Sequence, residues 1–213
     1  MAVLNNNGIV HNHSMKKSKV VLDIEHVEQM NPSASGAACA EMAFKHAGFD
    51  ANQRGIYEKA RLAEGKTCTD AGIALSVADS GYKVVSWWNE NKNAPLEWTG
   101  VMQNFYWPLY WRAVKNGALE KRENADTHLI KELINKGLPV IAEVDNGKFY
   151  NKKSSWTQFI LIKGYSRTHF TYNDPSMKSG GKTIEFKKFE GSWMETPFVN
   201  RSMFVVVKKD QMV

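Results

Sequence analysis

From Val20 onward the apolar and polar residues follow two periods, first a helical one and then an alternating one. The run GAACAEMAFKHA, residues 36–47, is dense in helix formers and is followed by Gly48 as a stop, which predicts a helix. NQRGIYEKARLAEG, residues 52–65, predicts a second helix. TDAGIALSVADSG, residues 69–81, predicts a third, opened by Thr or Asp and closed by Gly. YKVVSWW, residues 82–88, turns to a strand pattern, and ADTHLIKELINKG, residues 125–137, returns to an amphipathic helix. Apolar strand-like runs then dominate: LPVIAEV at 138–144, TQFILIKGY at 157–165, HFTYND at 169–174, KTIEF at 182–186 and MFVVVKK at 203–209. Helices first and strands later predict an α+β domain in which an antiparallel sheet packs against the N-terminal helices. No internal repeat interrupts this order.

Two segments stand outside the pattern. Residues 1–19 are polar and rich in Asn, His and Lys without a hydrophobic period, so they read as a flexible arm, leaving 20–213 as a single domain. His11 and His13 in that arm form a His-x-His pair with no carboxylate or cysteine nearby to complete a metal site. Between Leu96 and Leu119 five rings, Phe105, Tyr106, Trp107, Tyr110 and Trp111, gather around Pro108. They suit either a helix packed on the core or the wall of a groove.

Composition changes this picture little. The chain has 213 residues and 43% hydrophobic content, ordinary for a globular protein. Its 28 Lys and Arg against 22 Asp and Glu give +6, a surplus suited to acidic peptides, cell-wall polymer or nucleic acid without selecting among them. Cys39 and Cys68 have neither metal-type spacing nor a disulfide framework, so no metal or cofactor is implied and a reduced, cytoplasmic setting is the default. No stretch approaches the roughly 20 apolar residues of a membrane span, and the first residues lack the apolar block of a secretory signal. Export would then need a phage or a dedicated secretion system.

Candidate chemistry lies in two stretches. In VEQMNPSASGAACAEMAFKHAG, Gln29 precedes Ser35 by six residues, and Gly36 opens the first helix. In QFILIKGYSRTHFTYNDP, Gln158 starts a strand that ends in Gly164 and Tyr165, and a hairpin leads to Asn173, Asp174 and Pro175. Each has a plain reading: serine is a favoured helix N-cap, and Asn-Asp-Pro-Ser is turn chemistry. Taken together, in order and at this spacing, the chain resembles the papain-like cysteine peptidase superfamily. Within it, the resemblance is to the peptidase C39-like family, the double-glycine-leader peptidases of bacteriocin exporters and their freestanding relatives.

That resemblance implies a papain-like fold and a site of four parts. Ser35 takes the nucleophile position, Gln158 the base position, Asp174 the orienting position and Gln29 the oxyanion hole. A thiol at a helix start is activated by the exposed amides and the helix dipole, and it needs a base beside it. Here both members of the reacting pair differ from the family. A serine hydroxyl needs a base during attack, and a glutamine amide cannot take its proton. Cys39 lies one helical turn beyond Ser35, away from the first-turn amides, while His46 stands at the far end of the helix and His169 just past the hairpin turn. None of the three is a convincing replacement.

Two readings follow, and a third stands beside them. A disarmed domain would bind a peptide or protein partner in the former active-site cleft. Alternatively, this is a cysteine peptidase whose Cys nucleophile is replaced by Ser35, a reading Gln158 suits less well. A cell-wall amide hydrolase on the same fold would use the basic charge and the aromatics against wall peptide. Nucleic acid fits least, because no run of Lys and Arg with interleaved aromatics forms a motif.

Overall fold

The computed structural model describes residues 18–61, 68–90, 100, 102–154, 156–193 and 199–213. The arm up to residue 17, with His11 and His13, lies outside the described residues. The elements in chain order are β1 (Val20–Val21), α1 (Ser35–His46), α2 (Gln53–Ala60), α3 (Asp70–Ser76) and β2 (Tyr82–Glu90). A π-helical turn, Met102–Tyr106, leads into α4 (Trp107–Lys115), followed by β3 (Leu119–Arg122), α5 (Thr127–Asn135) and β4 (Val140–Asp145). Then come α6 (Asn146–Tyr150), β5 (Thr157–Tyr165), β6 (His169–Asn173), β7 (Lys182–Glu185), α7 (Phe186–Ser192) and β8 (Val199–Lys208).

Among the described residues eight strands form one sheet in the order β3-β2-β8-β4-β5-β6-β7, with β1 pairing β5. The α+β architecture is the expected one, though the sheet is wider than the C-terminal strands alone. β2, from the helical half of the chain, pairs antiparallel with the last strand, and β3 adds a parallel edge. Both faces are covered. On one, α1 to α4 bury a core that includes Phe44, Ile73, Leu161 and Phe204; on the other, Ile130, Ile134, Phe170 and Phe189 pack with β4, β5 and β8. Each such fully enclosed side chain contributes about 1.5–3 kcal/mol of burial free energy.

Helix α1 positions the candidate site, and its sequence fixes both ends. Its buried residues run from Ser35 to Phe44 and are mostly Ala, Gly and Cys, small enough for the helix to lie between the sheet and α2. At the C-terminus Gly48 has φ +88, its N–H donates to Lys45 O, and Phe49 N donates to Phe44 O, while the Phe44 and Phe49 rings meet edge-on at 5.7 Å. This doubly bonded left-handed stop, sealed by an apolar contact, is what the Gly48 signal anticipated.

Close approaches explain two other glycines. A Cβ on Gly72 would stand 2.1 Å from Ala60 O, so α2 and α3 touch only because α3 carries glycine there. A Cβ on Gly164 would stand 2.5 Å from Val20 O, so this glycine admits β1 against β5. Some boundaries differ from those predicted. α2 ends at Ala60, with 62–65 outside the described residues, and α3 stops at Ser76 in a string of turns.

Candidate active site

Ser35 is the first residue of α1, and the cap position belongs to Ala34, which makes no side-chain capping bond. The capping reading of Ser35 is therefore corrected: its Oγ turns to the sheet and accepts from Phe159 N at 3.3 Å. Only 4% of Ser35 is exposed. Behind it, Gly36 lets the helix start seat on the sheet, since a Cβ there would meet the Phe159 ring at 3.2 Å and Cys68 Cβ at 3.3 Å.

Phe159 follows Gln158, so the bond that anchors Ser35 also brings Gln158 beside the start of α1. Gln158 Nε2 donates to Gln29 Oε1 at 3.1 Å and to Asp174 Oδ1 at 3.4 Å. Its side chain is buried. Thus Gln29, Gln158 and Asp174, drawn from a loop, a strand and a post-strand turn, form one hydrogen-bonded cluster next to the start of α1.

The loop bearing Gln29 is held from both sides. Gln29 N donates to Pro175 O at 2.8 Å, and His26 Nε2 lies 2.7 Å from Met177 O. Gln53 spans the other flank, accepting from Met30 N at 2.8 Å and donating to Glu28 O at 2.8 Å. Asn173 adds a clamp: its Oδ1 accepts from Gly181 N at 2.9 Å, while its Nδ2 donates to Ile24 O at 3.4 Å. The turn residues therefore have a structural task as well as their place in the cluster.

Asp174 is fully buried and well supplied with donors. Its Oδ1 accepts from Ser176 N at 2.9 Å and Ser176 Oγ at 2.8 Å, and Tyr150 OH donates to its Oδ2. Burial of the phenol, then the bond to Asp174 and its charge, push Tyr150 well above the usual tyrosine range. Burial and the same charge push Tyr172 up to about 12. The Ser176 contacts could have been read from Asn-Asp-Pro-Ser as a side-chain turn. Tyr150 carried no such signal, because it arrives on α6, a short helix that the sequence pattern did not predict.

The other candidates fall outside this cluster. Cys39 is fully buried in the core, and burial followed by the Asp174 charge raises its thiol well above the ordinary range. His46 Nε2 lies 3.0 Å from Gly137 O, and His169 Nδ1 lies 2.8 Å from Thr168 Oγ1. The aromatic segment divides: Tyr106 and Tyr110 pack into the core around Trp88, while Phe105 and Trp111 are exposed. Beside the cluster, Glu143 pairs with Phe159 across β4 and β5. Burial pushes its carboxyl up to about 7, the Thr157 side chain works against this, and the Asp70 charge adds to it.

Two cavities, of about 440 and 500 Å³, lie away from Ser35. No three His, Cys, Asp or Glu side chains among the described residues are grouped to hold a metal ion. No helix among them is long and apolar enough to cross a membrane.

With this geometry in place, a sequence profile described as the Peptidase_C39 like family matches residues 21–200. The chain belongs to that family. No curated protein matches it. Among solved structures, this C39-like chain is similar to a C39-like peptidase candidate from Bacillus anthracis, with 13% identity and a TM-score of 0.59 over 89% of this chain and 98% of that one. It is also similar to the peptidase domain of Streptococcus ComA, a bifunctional transporter involved in quorum sensing, with 13% identity and a TM-score of 0.53 over 86% and 97%. A double glycine motif protease from an AMS/PCAT transporter, solved with its leader peptide, has 11% identity and a TM-score of 0.51 over 88% and 93%. These likenesses are of fold.

Proposed function

We propose that this C39-like domain is catalytically disarmed and binds a peptide or protein partner in the former active-site cleft. One observation carries the reading: the side chain bonded to Asp174 and Gln29 beside Ser35 is the amide of Gln158. A hydroxyl becomes a useful nucleophile only when a base removes its proton as it attacks, and an amide has no site to receive one at neutral pH. Ser35 Oγ meanwhile accepts a backbone N–H, which stabilises a resting hydroxyl. A structural neighbour solved with a leader peptide supports a peptide as the partner class. Wall peptide is the variant of this reading in which a phage or secretion system delivers the protein; otherwise it acts in the cytoplasm. In the same reading residues 20–213 form one domain and 1–19 an arm.

The test is to incubate the chain with double-glycine leader peptides and a mixed peptide library, following binding by calorimetry and cleavage by mass spectrometry. Saturable binding without cleavage is expected. Turnover that disappears in Ser35→Ala would sink the proposal. A second reading, an active peptidase carrying Ser35 in place of cysteine, has in its favour that Gln29 and Asp174 remain tied to the position beside the helix start.

A further inference from the structure

Away from Ser35, the end of β2, the start of α5 and the end of α7 border an open polar cavity of about 440 Å³, lined by Asn89, Asn124, Asp126, Glu190, Trp193 and Arg201. Two of these residues have left-handed backbones, Asn124 at φ +63 and Arg201 at φ +56. Asparagine adopts that region readily; arginine does not.

The position of Arg201 explains the conformation but not the residue. Trp87 pairs with Met203 and Asn89 with Asn200, so Arg201 and Ser202 together oppose Trp88 in a bulge of β8. In the G1 type of bulge the first residue is left-handed, as Arg201 is, and glycine takes that place without strain. An arginine there accepts strain and gains direction: its guanidinium stands 6.0 Å over the Trp193 ring, which is fixed by the bond from Trp193 Nε1 to Ser202 O at 3.0 Å. The opposite wall is equally oriented. Asp126 accepts from Leu129 N at 2.7 Å, Glu190 accepts from Thr127 Oγ1 at 3.2 Å, and Asn89 Oδ1 accepts from Asn124 N at 3.4 Å. Backbone strain at a residue that lines a cavity motivates a functional reading.

We propose that this cavity binds a neutral polyhydroxylated ligand, a saccharide. Two carboxylates disfavour an anion, and Arg201 offsets one of their charges, so the lining suits a ligand that both donates and accepts hydrogen bonds. Neighbouring hydroxyls satisfy both, donating to Asp126 and Glu190 and accepting from Arg201 and the asparagine amides. The volume is within the range of small-molecule sites. This inference stands apart from the candidate site at Ser35 and does not rest on peptide binding there.

The experiment compares the full chain with Arg201→Gly and Glu190→Ala, using trisaccharides of glucose, N-acetylglucosamine, mannose and galactose as probes. Calorimetry reads binding, and thermal unfolding reads stability. Saturable binding of at least one probe is expected, weakened about tenfold or more in both variants. Arg201→Gly should hold or raise the melting temperature, because it removes the strain together with the guanidinium. The proposal is overturned if no probe binds saturably, if the variants bind as the parent does, or if Arg201→Gly melts well below it, which would make the arginine a cover for Trp193.

Discussion

Gln158 Nε2 donates to Gln29 Oε1 across 3.1 Å, joining two side chains 129 residues apart in the chain. An imidazole in the place of Gln158 would have one nitrogen for Asp174 and one for the nucleophile. The amide instead spends its N–H groups on both neighbours, and it turns the Gln29 carbonyl oxygen inward. This network explains how a polar cluster is accommodated next to a core: its members satisfy one another.

Tyr150 is the least expected member of that network, and its hydroxyl donates to a carboxylate that has no exposure. Tyr150→Phe removes the donor while keeping the ring. Loss of a hydrogen bond to a buried charge should lower unfolding free energy by about 1.5–3 kcal/mol. Urea denaturation read by tryptophan fluorescence checks this. An unchanged midpoint would mean that Asp174 is held by Ser176 and the glutamine alone.

Glu143 makes stability depend on pH. Its carboxyl is pushed up to about 7, first by burial, against the Thr157 side chain and with help from the Asp70 charge. The folded chain therefore holds a proton that the unfolded chain has released, so stability is fully present below about pH 4.5 and is lost as pH rises through about 7. Asp70 is also raised by burial and acts in the same direction. Glu143→Gln should flatten the profile, reducing the difference in unfolding free energy between about pH 4.5 and about pH 8 by about 1–2 kcal/mol. This is less than the about 1.4 kcal/mol per pKa unit would allow, because Glu143 is only partly enclosed. Identical profiles for parent and variant would show that Glu143 ionises freely in the fold.

The cysteines give a cleaner test of where nucleophilicity resides. Cys39 and Cys68 are both buried; burial raises the first well above the ordinary range and the second to about 12. A thiol disulfide reagent near neutral pH should label neither in the native chain and both after denaturation. Fast native labelling at Cys39 would reopen its candidacy as a nucleophile.

Much of this molecule was legible in its sequence because the signals were local. The stop at Gly48 and the strand periods of 157–165 and 169–174 match α1, β5 and, to within one residue, β6, since each depends on residues a turn or a ladder step apart. The clustering of Gln29, Gln158 and Asp174 was legible only through family resemblance, because no local pattern brings three distant segments together. α6 and α7 were missed for a physical reason. They are one or two turns long, follow strands directly, and carry aromatics, Phe149, Tyr150 and Phe189, whose placement is decided by packing with Phe170 and Tyr172 rather than by propensity. Serine's reputation as a cap misled at position 35, where the hydroxyl finds Phe159 N instead.

The sharpest test of the site places a thiol and an imidazole at positions 35 and 158. In Ser35→Cys the thiol would sit at the head of α1, where amides and dipole favour a thiolate, but beside an amide that cannot take a proton. In the double variant with Gln158→His, the imidazole would gain Asp174 as its orienting partner, at a position where the amide already reaches it across 3.4 Å. The rate of labelling by a thiol-directed electrophile, followed by mass spectrometry across pH, should be at least about tenfold faster near neutral pH in the double variant than in Ser35→Cys alone. Its pH dependence should shift below that of an ordinary thiol. Such a result would mean that the scaffold still holds a competent pair and that only two side chains separate it from a peptidase. Equal, slow rates with an ordinary thiol profile would mean that the surroundings of Ser35 have closed around the amide cluster, so the cleft's remaining use would be recognition.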